Sequence, residues 1–304
     1  MLYVSFFDTL QAFLSGIYAV KLLNFKRTSL NYRRLLRENA DAKALLGANV
    51  QLKDKHKGKR CFILGNGPSL KQEDLSALKD EIVFTVNQAS RMPQFDAIRS
   101  DYHFWADPSF FQIDDSKAEY QDLLNTMHAV GRGNPQLQCF FPIQFQWFVQ
   151  KYHLEQDLNV RYFYYYGMLL YDGWNGKIDY TGPVPCFSTV VQFCITMAIY
   201  MGFSEIYLLG CDNTSILVNI KSMLRQNDDR DYAYAVSENE KKRMESLLGD
   251  GGLEGYLSSY LATFRDYRRL YQYCADRGIQ LVNCSAETVI DSIPRKRLKD
   301  VLNP

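Results

Sequence analysis

The sequence has no Cys-x-x-Cys pair among its seven cysteines, and its four histidines (His56, His103, His128 and His153) show no metal-ligand spacing and stop at residue 153. No zinc site or disulfide framework is indicated, and cysteines set mostly in apolar runs fit buried thiols in a reducing cytoplasm. A Gly-x-x-x-x-Gly-Lys-[Ser/Thr] phosphate loop, a Gly-x-Ser-x-Gly nucleophile turn and a His-Glu-x-x-His helix are all missing. The chemistries that depend on those motifs are set aside. Net charge is only +1 in 304 residues, which gives no reason to expect a nucleic-acid partner. The apolar opening over residues 1–23 lacks the basic start and small-residue cleavage site of a secretory signal, and Asp8, Gln11 and Ser15 would lay a polar stripe along its helix. A spanning helix fits it poorly.

What is present is an apolar content of 47%, ample for a core, and an uneven distribution of charge. Residues 21–60 hold twelve Lys or Arg against Glu38, Asp41 and Asp54, a net +9. Asp8 is the only charge before them, so the rest of the chain carries −7. Residues 1–57 therefore read as an amphipathic, basic helical arm followed by a Lys-rich linker, with the folded domain over 58–304. Apolar helix beside basic run suits an anionic membrane surface through residues 1–40. A helix that packs on the domain, or on a second subunit in a homo-oligomer, fits the same pattern.

The chain is organised around Arg60-Cys61-Phe62-Ile63-Leu64-Gly65-Asn66-Gly67-Pro68-Ser69-Leu70, in which four apolar residues run into a turn with two glycines. It reads as a central parallel strand, a tight turn and a helix start, the arrangement that offers unpaired amides to a phosphate. Further strands are expected at 81–86, ending in Asn87, and at 102–106, ending in Asp107. Others are expected around 139–141, 160–166, 206–209 and 279–283, with helices at 72–79, 188–201 and 256–277 between them. The strand at 206–209 runs into Gly210-Cys211-Asp212-Asn213, a second turn of Gly and acid. Alternation of this kind argues for an α/β fold with a doubly wound, mostly parallel Rossmann-like sheet. Asn87, Asp107 and Asp212 would then share one crevice with the first turn, because ligands sit at the carboxyl ends of such strands. The polar stretch at about 213–255, which includes Tyr232 and Tyr234, suits a lid or a surface insertion.

In order along the chain, Leu64-Gly65-Asn66-Gly67-Pro68-Ser69-Leu70, Val86-Asn87-Gln88, Asp107-Pro108-Ser109-Phe110-Phe111 and residues 201–212 resemble two related groups. One is the bacterial sialyltransferases of glycosyltransferase family 42. The other is the domain family of the archaeal 6-hydroxymethylpterin diphosphokinases (MptE-like) and the motility accessory glycosyltransferases, which the closing Val282-Asn283-Cys284-Ser285 and residues 290–295 also resemble. The resemblance spans about residues 58–300 and implies a GT-A-like variant of the Rossmann-like sheet.

On the sialyltransferase pattern, Gly65, Asn66, Gly67, Pro68 and Ser69 would hold the nucleotide of a CMP-activated sialic-acid-like donor, with Asn87 and Gly210 beside it. Ser188 and Thr189 would stand at a helix start near its phosphate, and Tyr232 and Tyr234 would contact the departing phosphate. The family's Arg near the phosphate has no counterpart in the sequence. Its lid histidine, the general base, is also missing, so Asp107 or Asp212 would have to take the proton from the acceptor. On the diphosphokinase pattern, Asp107 and Asp212 would instead hold Mg²⁺ against ATP. The leading expectation is a cytoplasmic enzyme, peripheral on the inner face of a bacterial plasma membrane. It would move a sugar from a nucleotide donor to a polysaccharide, flagellin glycan or lipid-linked glycan acceptor, without metal or other cofactor. Pyrophosphoryl transfer from ATP and a non-catalytic nucleotide-binding scaffold are the alternatives.

Overall fold

The computed structural model of the protein describes residues 30–132, 134–166, 178–217, 220, 232–247 and 252–302. The expected arm over residues 1–29 and much of the expected lid lie outside them. Eight strands form one sheet: β1 (Arg60–Leu64), β2 (Val83–Val86), β3 (Tyr102–Phe104), β4 (Gln138–Pro142), β5 (Asn159–Tyr166), β6 (Pro183–Pro185), β7 (Glu205–Leu209) and β8 (Gln280–Asn283). Their order is β6-β5-β4-β3-β2-β1-β7-β8, and every neighbouring pair is parallel. The expectation of a mostly parallel α/β sheet holds in full. The chain walks outward from β1 to β6, then returns to place β7 on the other side of β1. That reversal is a topological switch point, where a crevice opens at the carboxyl ends of the strands.

Alternation along β1 divides the core. Phe62 and Leu64 face one layer, which holds α1 (Ala118–His128) and several short helices, while Cys61 and Ile63 face the other. The second layer is built on α2 (Val190–Tyr200), in which every residue but Ile199 is buried, and on α4 (Gly252–Ala275). Such a helix needs an apolar sequence all round. Gln192 is its one amide, and it donates to the Thr263 carbonyl (3.0 Å), tying α2 to α4. A further helix, α3 (Glu238–Leu247), packs on α1.

On the amino-terminal side, residues 30–38 fit the packed reading of the basic helix, while the expected linker and the domain start at 58 are corrected. The helix over 30–38 lays Tyr32, Leu35 and Leu36 on the core, with the Tyr32 ring 5.1 Å from that of Tyr164. The linker expected at 51–59 is no linker, and the folded domain begins well before residue 58. Ala42, Leu46, Asn49 and Leu52 are buried, and Asn49 donates to the carbonyls of Tyr162 (2.7 Å) and Tyr180 (3.0 Å). His56 stacks on Phe203 and hydrogen-bonds the Tyr102 hydroxyl (2.7 Å). The lysines of 51–59 stay exposed, while the amides of Asp54, His56 and Gly58 donate to the carbonyls of Tyr200, Met201 and Gly202 and fix the segment. The helix expected at 72–79 is two short 3₁₀ turns, Pro68–Gln72 and Leu75–Leu78.

Candidate active site

The switch point holds a cavity of about 600 Å³, lined by the turns that follow β1, β2, β3 and β7 and by the start of α2. Register decides its geometry. Leu64 pairs with Leu209, so the turns after β1 and β7 lie side by side. Gly65 donates its amide to the Leu209 carbonyl (2.8 Å), and Gly67 donates to that of Gly210 (2.8 Å). A Cβ on Gly65 would run into the Gly210 carbonyl oxygen, and one on Gly67 would stand 2.6 Å from either oxygen of Asp212. The two glycines are there for close approach of two turns.

Asp212 is 2% exposed and accepts the Ser69 amide (2.8 Å) on one oxygen and the Ser69 hydroxyl on the other. It is the brace that holds the first turn against β7. Ser69 is correspondingly buried and does not line the cavity, whereas Gly65, Asn66, Gly67, Pro68, Gly210 and Asp212 do. Sequence reasoning expected open amides in this turn, ready for a phosphate. The structure turns those of Gly65, Gly67 and Ser69 inward and follows the turn with a single 3₁₀ turn, so it serves as a wall.

Asn66 donates its Nδ2 to the Val86 carbonyl (3.1 Å), which fixes its amide and leaves Oδ1 buried without a hydrogen bond among the described residues. Asn87 Oδ1 and Asn213 Nδ2 are in the same state, on residues held at φ 50° and 52°. Buried polar atoms are almost always paired, so three amides around one cavity, each with one atom unpaired among the described residues, are candidate contacts for a ligand's polar groups. Asp107 stands exposed at the same cavity and caps the next turn, accepting the Ser109 amide (2.9 Å) on one oxygen.

From the other layer, Thr189 caps α2 in a reciprocal capping box with Gln192. Thr189, Val190 and Val191 line the cavity, which brings the first turn of an 11-residue helix, with its intrinsically unpartnered amides, to the site. Ser188 falls outside the lining: its hydroxyl donates to Asp266 (3.2 Å). Burial pushes the Asp266 carboxyl up to about 6, against the opposing pull of that hydrogen bond. Tyr232 and Tyr234 both line the cavity, their rings stacked 5.4 Å apart. Burial, with the Tyr232 and Glu240 charges, raises the Tyr234 phenol, which stays a neutral donor.

Sequence reasoning missed the cation of the site. Arg243, on α3, is 3% exposed, lines the cavity, and grips Glu240 through two bonds of 2.8 and 2.7 Å. Its guanidinium lies 4.8 Å from the Phe110 ring centroid. Burial alone would lower its pKa, but the Glu240 bonds and charge, and then the Asp107 charge, raise it. Glu240 also accepts from Gln88 (2.7 Å). Gln88 accepts from Arg91 (2.6 Å), and Arg91 pairs with Asp122 on α1 (2.7 Å). The chain of bonds fixes α3 as a cavity wall. Within the expected lid, residues 232–247 are therefore built into the site.

Matches among solved structures include two proteins at low identity. The MAf glycosyltransferase from Magnetospirillum magneticum AMB-1 is 14% identical with a TM-score of 0.41, covering 84% of this chain and 38% of its own. The protein thus spans well under half of that relative. The sialyltransferase CstII from Campylobacter jejuni, solved with the substrate analogue cytidine-5′-monophosphate, is 18% identical with a TM-score of 0.41, covering 79% of this chain and 86% of its own. No curated protein matches the chain. The 6-hydroxymethylpterin diphosphokinase MptE-like family model matches residues 35–215, from the first packed helix through both turns of the switch point. On that match, which takes in more than half of its length, the chain belongs to the MptE-like family.

Proposed function

We propose that the protein is a glycosyltransferase that takes a nucleotide-activated sugar, of the CMP-sialic-acid type, into the switch-point cavity. The observation that carries this reading is the unpaired acceptor on Asn66, joined by that on Asn87: both oxygens call for O–H or N–H donors, which a sugar and a base supply and a phosphate does not. The phosphate belongs at the first turn of α2, with Arg243 facing it from the other layer. A cavity of about 600 Å³ is the size of a nucleotide-sugar site.

In the transfer, the bond from the sugar's anomeric carbon to the phosphate oxygen breaks and its electron pair stays on the phosphate. The acceptor hydroxyl oxygen forms the new bond to that carbon and gives up its proton. Asp107 takes it, through the oxygen that makes no hydrogen bond among the described residues. Tyr232, Tyr234 and Arg243 meet the charge left on the departing phosphate. Asp212 positions the wall and stays out of the proton transfer. Removing a general base costs about 10²- to 10⁴-fold. Asp107→Asn is therefore expected to lose turnover on that scale while binding CMP as the wild type does.

Pyrophosphoryl transfer from ATP remains as the second reading, because family membership favours it. Mg²⁺ carried on phosphates needs only one or two protein carboxylates, and Asp107 would provide one. Among the described residues no group of three or more His, Cys, Asp or Glu could hold a metal by itself. A thermal-shift panel of CMP, CDP, UDP, GDP and ATP, each with and without Mg²⁺, separates the two. A ligand at about 100-fold its Kd adds about 2.7 kcal/mol. CMP stabilisation without metal is expected, and stabilisation by ATP with Mg²⁺ alone would overturn the leading reading.

The acceptor proposed is a surface or lipid-linked glycan, reached from the inner face of a membrane. No described helix is long and apolar enough to cross one. The exposed Leu30, Arg33, Arg34 and Arg37 on the outer side of the first described helix suit an anionic surface. Because residues 30–57 pack on the core through Tyr32, Leu35, Leu36, Ala42, Leu46 and Leu52, the informative truncation removes residues 1–29 alone. It is expected to abolish sedimentation with anionic vesicles, and unchanged sedimentation would contradict the membrane role.

A further inference from the structure

A second cavity, of about 650 Å³, opens on the far side of the Pro68–Gln72 turn, and nothing in the proposed transfer uses it. Pro68 lines the first cavity, Gln72 and Glu73 the second. The opposite wall is the segment that carries Arg295, Lys296, Arg297 and Lys299. Such a cluster runs against the composition of a domain that is net negative beyond residue 60.

The segment is fastened at the carboxyl end of the sheet. Asn283 donates its amide to the Pro294 carbonyl (2.9 Å), Lys296 donates to that of Asn283 (3.2 Å), and Asn283 and Arg295 form a parallel bridge. Arg295 also donates to the carbonyls of Ser285 (3.4 Å) and Ala286 (2.9 Å), pinning the turn after β8. The cations thus sit on a fixed backbone and need little further ordering to meet a ligand.

We propose that this cavity binds a phosphorylated small molecule. Four lining cations face one lining carboxylate, Glu73, and Arg297 is offset by Asp300 at 2.7 Å, which leaves a surplus of two positive charges. Lys296 and Lys299 form no ion pair among the described residues. A surplus of two matches a phosphate monoester or diphosphate, and exceeds what a single carboxylate would neutralise. A soluble ligand fits better than a lipid headgroup, because Leu298, the one large apolar side chain in the lining, is buried. The site shares a wall with the first cavity, where the Cys211 amide donates to the Ser285 hydroxyl (2.8 Å).

The proposal is independent of the reaction above, and the test uses the full chain with inorganic pyrophosphate as the probe. Amide hydrogen exchange is read with and without it, and its affinity is measured by calorimetry for the wild type and for Lys296→Gln/Lys299→Gln. Both lysines are exposed, so an unchanged thermal midpoint will certify the fold of the variant. Expected are slowed exchange at residues 72–74 and 284–299 and at least a tenfold loss of affinity in the double variant. Protection confined to residues 65–67 and 210–214, or equal affinity in the two proteins, would overturn it. So would a third outcome: phosphatidic-acid vesicles captured through the same lysines while pyrophosphate does not bind, which would assign the site to a lipid headgroup.

Discussion

Gly65 and Gly67 show how one residue type can point to the right place for a different reason. Their freedom is used for contact between the turns after β1 and β7, and a methyl group at Gly65 meets backbone that cannot yield. Gly65→Ala is expected to cost about 1–3 kcal/mol in urea denaturation, as overpacking does. Gly182→Ala, with nothing near its Cβ, should be neutral or stabilising by up to about 1 kcal/mol. Half-buried His56 and buried His103 set the response to acid. Burial, with Lys55 and Lys59 beside it, pushes His56 down to about 4, and burial pushes His103 down to about 3. Unfolded histidine titrates near 6.5, so below that pH the unfolded chain binds more protons than the folded one, and stability is lost as pH falls from about 6.5 towards 4. Asp266, raised to about 6, acts in the opposite sense between about 6 and 3.8. Denaturation midpoints are therefore expected to fall between pH 7 and pH 5. Asp266→Asn should steepen the fall and His103→Gln should flatten it.

Among the elements, α3 separates what the sequence tells from what it hides. The strands that begin at Arg60, Val83, Tyr102, Glu205 and Gln280 are legible, because each is a short apolar run that ends in a polar or glycine-containing turn. Strand ends at Asn87, Asp107 and Asp212 fall on one cavity for the same reason. β6 escapes notice because Pro183-Val184-Pro185 is short and carries two prolines, residues that weaken a strand assignment. Arg243 escapes because Glu240 and Arg243, three apart in a polar stretch, look like a solvated helix pair. Packing on α1 through Gln88, Arg91 and Asp122, and on the Phe110 ring, buries them. The consequence is measurable by a double-mutant cycle. Arg243→Met leaves Glu240 buried without its partner and should cost about 3–5 kcal/mol, while Glu240→Met/Arg243→Met should cost far less than the two single changes together.

At the scale of the whole molecule, strand order explains why the site is where it is. Placing β7 beside β1 after a walk out to β6 joins two turns into one wall. It also lets the two helical layers contribute from opposite sides, α2 with its first turn and α3 with Arg243. The same carboxyl edge carries the basic cavity beside β8, so two cavities share the partition at Ser285 and Cys211. Parallel topology thereby concentrates function at one end of the sheet. The central claim is that this edge turns over a nucleotide-activated sugar with Asp107 and Arg243 in place. Release of CMP from CMP-N-acetylneuraminic acid, followed in EDTA for the wild type, Asp107→Asn and Arg243→Gln, tests it most directly. Metal-independent release by the wild type and a loss of about 10²-fold or more in Asp107→Asn are expected. No CMP release under any condition, together with AMP formation from ATP and Mg²⁺, would contradict it.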